Sequence, residues 1–159
     1  MLRKIGIIAV LSAVLVLSVA AIASAAVRFH AGPTCTDNGL TLTCTGNVSG
    51  LGQEQLTVDI TSTATATVEC TNPAGNVAPG QTFTTNVGGT GTFDVDKNGR
   101  ATFSVTTEEP IAPADSCPNP QWSAAVTDVT FGDVTIVGTQ GGVEVFNVTV
   151  LAEDIIIAP

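Results

Sequence analysis

An all-β fold is the prediction for this chain of 159 residues, and three features carry it. Past residue 25 no window shows helical periodicity; short runs alternate apolar with polar residues, as strands with one buried face do. Threonine, a β-branched residue suited to the wet face of a strand, is the commonest residue, with 24 copies. Gly, Pro and Asn fall between the runs. The candidate strands are 40–44, 56–60, 64–70, 82–87, 92–96, 100–106, 122–130, 134–137 and 142–151. About 7–9 short strands at this spacing predict a two-sheet antiparallel sandwich, immunoglobulin-like in the broad sense. Residues 26–159 are expected to form it as a single domain.

Within the series, 91–105 supports a specific register. A two-residue turn at Asn98-Gly99 would set Val95 against Thr102 and Phe93 against Ser104. A three-residue loop, Lys97-Asn98-Gly99, pairs Val95 with Ala101, Phe93 with Phe103 and Asp96 with Arg100, leaving one face wholly apolar. The pattern therefore predicts a hairpin with Gly99 in the left-handed region. Near Val126 the parity slips: Trp122, Ala124 and Val126 share one face, Val129 and Phe131 the other. A bulge or a turn lies at Thr127-Asp128. The stretches 71–80 and 108–121, rich in Pro, Asn and Gly, are predicted loops. The terminal Ile155-Ile156-Ile157 is expected to find an edge within the molecule rather than in a second copy.

Residues 1–25 carry the pattern of an export signal, expected to be a cleaved helix. Met1-Leu2-Arg3-Lys4 is basic, an apolar stretch runs from Ile5 to about Ile22, and Ala23-Ser24-Ala25 is an A-x-A site, so cleavage falls between Ala25 and Ala26. The stretch also approaches the ~20 residues of a spanning helix, so the alternative is a membrane anchor through residues 5–26. A secreted chain makes its four cysteines two disulfides, with three possible connectivities. Cys35 and Cys44 flank the turn-like Asp37-Asn38-Gly39, and Cys70 and Cys117 each border a predicted loop. The favoured pairing is Cys35 with Cys44 and Cys70 with Cys117. A metal site is disfavoured, since no Cys-x-x-Cys occurs and His30 is the one histidine.

After cleavage only Arg28, Lys97 and Arg100 remain against 14 acidic residues. Nucleic-acid binding needs clustered cations and is not expected, and an acidic membrane surface repels the mature chain as a whole. A soluble monomer follows. Asp94-Val95-Asp96-Lys97-Asn98-Gly99 matches the opening of a calcium loop, but its twelfth position is Val105 instead of glutamate, and a hairpin turn explains the same residues. His30 lies too near the cleavage site to anchor a catalytic triad. Glu108, Glu109 and Asp115 are the carboxylates an acid/base pair would draw on; in a polar loop they are expected to be solvated charge. Trp122 is expected to pack in the core beside a disulfide rather than offer a sugar platform. Asn47-Val48-Ser49 and Asn147-Val148-Thr149 fit the glycosylation sequon.

Two family resemblances add to this. Gly50-Leu51-Gly52, Cys70-Thr71-Asn72-Pro73-Ala74-Gly75-Asn76 with Pro79-Gly80, the Lys97-Asn98-Gly99 turn and Cys117-Pro118-Asn119-Pro120-Gln121-Trp122 resemble an arrangement in uncharacterised small secreted bacterial proteins. That resemblance covers most of the mature chain and implies a disulfide-tied sandwich. Size, acidity, four cysteines and Asp96-x-x-Gly99 are similar to the neocarzinostatin-type apoproteins, which implies a carrier of a small chromophore; in that family the second cysteine pair closes a tight loop, whereas Cys70 and Cys117 are 47 residues apart. The expected function is a secreted, non-catalytic extracellular or cell-surface interaction module with an unidentified extracellular partner and no cofactor. The alternative is a small-molecule carrier with a cleft in the sandwich, and the distant alternative a hydrolase. The loops 71–80 and 108–121 are the expected binding elements.

Overall fold

The computed structural model describes residues 26–158; the export signal with Ala25, and the anchor alternative over 5–26 except for Ala26, lie outside them. Nine strands are described: β1 (Arg28–Asp37), β2 (Leu42–Ser49), β3 (Leu56–Thr71), β4 (Val77–Pro79), β5 (Phe83–Phe93), β6 (Arg100–Thr106), β7 (Ser123–Gln140), β8 (Val143–Val150) and β9 (Ile156–Ile157). They form two sheets, ordered β6-β2-β1-β9 and β4-β3-β7-β8, with β5 also on β3. Every ladder is antiparallel except that between β1 and the short β9, which is parallel. The fold is the predicted two-sheet sandwich.

β3 sets the frame. Its even-numbered residues from Leu56 to Cys70 are all buried, and its odd-numbered ones, mostly threonine, face outward. The two candidate strands 56–60 and 64–70 are thus one continuous strand. Candidates 122–130 and 134–137 are likewise one strand, β7. The parity slip in β7 is a bulge: Thr67 pairs with Asp128 and Val68 with Val126, leaving Thr127 extra. A second irregularity lies where Ser62 pairs with Val134 and Ala64 with Phe131. Two extra residues in the β7 backbone keep its apolar side chains on the core side over 18 residues.

The predicted hairpin is half right. Its turn forms as expected: Asp96 N–H donates to Arg100 O (2.8 Å), Gly99 N–H to Asp96 O (2.9 Å), and Gly99 has φ +72°. The flanking strands do not pair with each other. β5 joins β3 from Leu56↔Phe93 to Ala66↔Phe83, while β6 joins β2 in the other sheet. The turn is therefore an arch between sheets, and Phe93 meets Phe103 across the core at 6.3 Å between ring centroids. Alternation specifies which face is buried, and an arch satisfies that requirement as well as a hairpin does. β1 escaped prediction because Gly32-Pro33 interrupts its pattern; the register shifts between Phe29 and Ala31 and between Ala31 and Thr34 absorb them. Ile156-Ile157 lies on the edge of β1, within the molecule.

Four phenylalanines run through the core: Phe29 against Phe146 at 5.1 Å, Phe146 against Phe103 at 6.2 Å, then Phe103 against Phe93. Each of the two central rings covers a glycine directly opposite on the neighbouring strand, Phe103 over Gly46 and Phe146 over Gly138. Trp122, expected in the core, is only half-buried at the start of β7 and outside the core cluster. The aromatic positions beside the sheets are taken by phenylalanine, which buries no polar N–H.

The disulfides pair as favoured, Cys35 with Cys44 and Cys70 with Cys117. The first joins directly opposed residues of β1 and β2. The second works where the smaller sheet ends. There Thr107 N–H donates to Leu42 O and Glu108 N–H to Gly88 O, and the following loop returns to cover β3. Buried Ser116 accepts from Gln81 N–H (2.9 Å) while Cys117 is bonded to Cys70. Both bonds belong to an oxidising environment. Among the described residues no helix is long and apolar enough to cross a membrane.

Two stability experiments follow. A methyl group on Gly46 would sit 2.5 Å from the Phe103 ring, so Gly46→Ala is expected to cost about 1–3 kcal/mol. Gly138→Ala should behave alike, whereas Gly32→Ala, which meets nothing within 4 Å, should cost far less. Urea midpoints check the ranking, and equal values for all three would contradict the ring-on-glycine packing. Removing Cys70–Cys117 as a double alanine variant should cost about 4 kcal/mol against about 3 kcal/mol for Cys35–Cys44. It alone should expose 107–122 to limited proteolysis; cleavage there in the Cys35/Cys44 variant instead would reverse the assignment.

Candidate binding cleft

At the end of the sandwich where the arch lies, the two sheets part and leave a cleft of about 530 Å3. Ala26 and Val27 form one wall, Val143, Glu144 and Val145 of β8 the other, and Gly50-Leu51-Gly52 with Gln140 close the base. The lining is apolar because Val27, Leu51 and Val145 turn toward the core, with Leu51 itself buried. Val143 stands 67% exposed at the rim, available to whatever enters.

Two sets of hydrogen bonds brace the cleft. Gln140 accepts from Gly52 N–H through Oε1 (2.9 Å) and donates through Nε2 to Gly52 O (3.3 Å) and Glu54 O (2.6 Å). Its amide thus staples the β2–β3 connection to the end of β7. On the opposite side Leu51 N–H donates to Gly99 O (3.1 Å), fixing the base to the arch. Gly99 is buried and left-handed there; a Cβ would sit 2.6 Å from Leu51 O. A cleft tied by backbone and amide hydrogen bonds is preformed, as small-ligand and peptide sites usually are.

The cations lie on the outer face of the smaller sheet and in the arch. Arg28 follows Val27, and Arg28, Ser49 and Arg100 lie opposite one another across β1, β2 and β6, so their side chains share the outer face. Lys97 sits in the arch next to Asn98-Gly99. Glu144, and Glu54 beside Gly141, lie on the β8 side. The one charged residue that lines the cleft is Glu144, while Arg100 shares an outer depression with Asp94 and Asp96.

The other candidate residues are dispersed. Asp96 Oδ1 accepts from Asn98 N–H (2.8 Å) and Arg100 N–H (2.9 Å), and Asp94 Oδ1 from Gln55 Nε2 (2.9 Å). Asp96 thus caps the arch. His30 is exposed on β1. Glu108, Glu109 and Asp115 are exposed, and Glu108 shares an open depression with Asp59. Asn47 and Asn147 are exposed mid-strand, with Asn47 Nδ2 donating to Thr102 Oγ1 (3.0 Å). The cleft draws on neither loop expected to bind. Sequence reasoning missed Gln140, Val143 and Val145; the Gly141-Gly142 turn, which folds β7 back onto β8 and sets them at the sandwich end, was the available signal. No family model matches the chain, and no curated protein does.

Hydrogen bonding from Arg100 N–H holds the Asp96 carboxyl below its usual 3.8, against some desolvation, with Asn98 N–H and the Arg100 guanidinium assisting. The unfolded chain binds this proton more tightly than the folded one. The arch's contribution is therefore complete above about pH 3.8 and lost as pH falls through the lowered value. Asp96→Asn is expected to flatten the acid limb of stability; urea titrations from about pH 5 to about pH 2 measure it, and superimposable limbs would remove Asp96 from the account.

Proposed function

We propose that this protein is a secreted, non-catalytic module of the extracellular space or cell surface that binds a partner through the cleft at the arch end. The preformed apolar cleft carries the reading: it is braced by Gln140 and Gly99 and lined by Val27, Leu51 and Val143. Apolar walls with a few fixed polar groups are what a binding site requires. Secretion is supported by the A-x-A site ending at Ala25 and by two disulfides.

One observation favours a second reading, a small-molecule carrier. A volume near 530 Å3 lies within the roughly 300–1,000 Å3 of sites that enclose a drug-sized ligand, as the resemblance to neocarzinostatin-type apoproteins implies. Two measurements separate the readings. The fluorophore ANS should bind the wild type and lose its signal in Val143→Glu, a change at an exposed rim that the fold tolerates; no ANS binding to the wild type would sink both. Native mass spectrometry of the protein from its own host should show a bare mass for the module. A discrete added mass would instead establish the carrier.

A further inference from the structure

The chain holds two Asn-Gly dipeptides, Asn38-Gly39 and Asn98-Gly99, and the fold treats them in opposite ways. We propose that Asn38 is a site of spontaneous covalent modification, deamidating through a cyclic imide formed with Gly39, while Asn98 is protected, and that the change loosens β9 from β1. Glycine permits the reaction, because without a Cβ beside it the backbone nitrogen can reach the preceding side chain. That nitrogen gives its proton to hydroxide and bonds to Asn38 Cγ; the Cγ–Nδ2 bond breaks, and ammonia leaves with a proton from water. One water then opens the imide at either carbonyl, leaving aspartate or an isoaspartate whose peptide link runs through the side chain. The sum is amide plus water giving acid plus ammonia, with nothing oxidised or reduced.

The two sites differ in the freedom of the attacking nitrogen. Gly39 is exposed at φ +91° in the turn between β1 and β2, and a Cβ there meets nothing within 4 Å. Its N–H donates to Asp37 Oδ1 (2.8 Å), and Asn38 Nδ2 donates to Thr43 Oγ1 (3.0 Å), both in exposed bonds that water replaces at little cost. The bonded cysteines Cys35 and Cys44 flank the turn, so it can rearrange without opening the ladder. Gly99 is buried instead. Its N–H donates to Asp96 O (2.9 Å), its own oxygen accepts from Leu51 N–H (3.1 Å), and Asp96 Oδ1 holds the N–H groups of Asn98 and Arg100 on either side. The nitrogen cannot swing toward Asn98 Cγ until these backbone ties break, although the Asn98 side chain is itself exposed.

The consequence falls on β9. Asp37, directly before the modified residue, accepts from Ala158 N–H (2.9 Å) and pairs with Ile157. Asp37, Asn38 and Gly39 line one depression with Asp128, Ile157 and Ala158. Deamidation therefore adds a carboxylate where Asp37 and Asp128 already stand, and like charges at short range repel. Isoaspartate also lengthens the backbone by one carbon beside the carbonyl that holds Ala158. β9 has little to resist with: two residues, both exposed, paired to Thr36 and Asp37. Modification of the turn thus uncovers an edge of β1, and a chain working outside the cell accumulates it with age.

Ageing the intact, disulfide-bonded protein at mildly alkaline pH, followed by digestion and mass spectrometry with electron-transfer fragmentation, tests the assignment. Asn38 should convert about tenfold or more faster than Asn98, whereas in urea with the disulfides reduced the two should convert at similar rates. Equal rates in the folded protein, faster loss of Asn98, conversion at neither site, or a difference that persists in urea would overturn the proposal. Hydrogen exchange at Ala158 N–H, followed by NMR, reads the docking of β9. It should quicken as Asn38 converts and stay constant over the same period in Asn38→Gln, whose longer side chain cyclises far more slowly. Unchanged exchange in fully converted protein would overturn the link to β9.

Discussion

The rest of this structure depends on the one buried face of β3. Eight alternate side chains from Leu56 to Cys70 must be covered, and no single strand can do that. β7 runs along one edge for the full length, β5 and then β4 share the other, and the smaller sheet covers the inner face only partway. The disulfide-tied loop covers the remainder. At the opposite end the sheets separate around Leu51, which gives the cleft. The covered end thus follows from a strand longer than the sheet that faces it.

Much of this was legible in the chain. The period of two, the loops and the turn at Asp96-Lys97-Asn98-Gly99 are local properties, encoded by neighbours in sequence. What escaped was partner choice. Phe93 and Phe103 announce that they share an apolar environment, and a hairpin and an arch meet that demand equally; only competition from β2 and β3, distant in sequence, decides between them. β1 stayed hidden because Gly32-Pro33 breaks the alternation that marks its neighbours. Trp122 misled because a large aromatic suggests a core, whereas rings stacked over Gly46 and Gly138 already filled it.

The cleft was less legible than the fold. Its lining comes from two separate turns and the segment that leads into β1, and none of those residues is chemically conspicuous. Gln140 looks like an ordinary polar residue at a strand end until its amide is seen bridging to Gly52 and Glu54. The acidic composition also concealed an uneven distribution of charge. Counting charges describes how the chain meets solvent at a distance, whereas the row Arg28-Ser49-Arg100 shows how unevenly the few cations lie over the surface.

The parallel pairing of Ile156-Ile157 with Thr36-Asp37 bears on the order in which the molecule is made. Chains are delivered N-terminus first, and β1 with β2 can close early over a short span sealed by Cys35–Cys44. β3 must then wait for β7, and the edge of β1 for β9. The edge of β1 thus stays uncovered until the segment that follows β8 has been made.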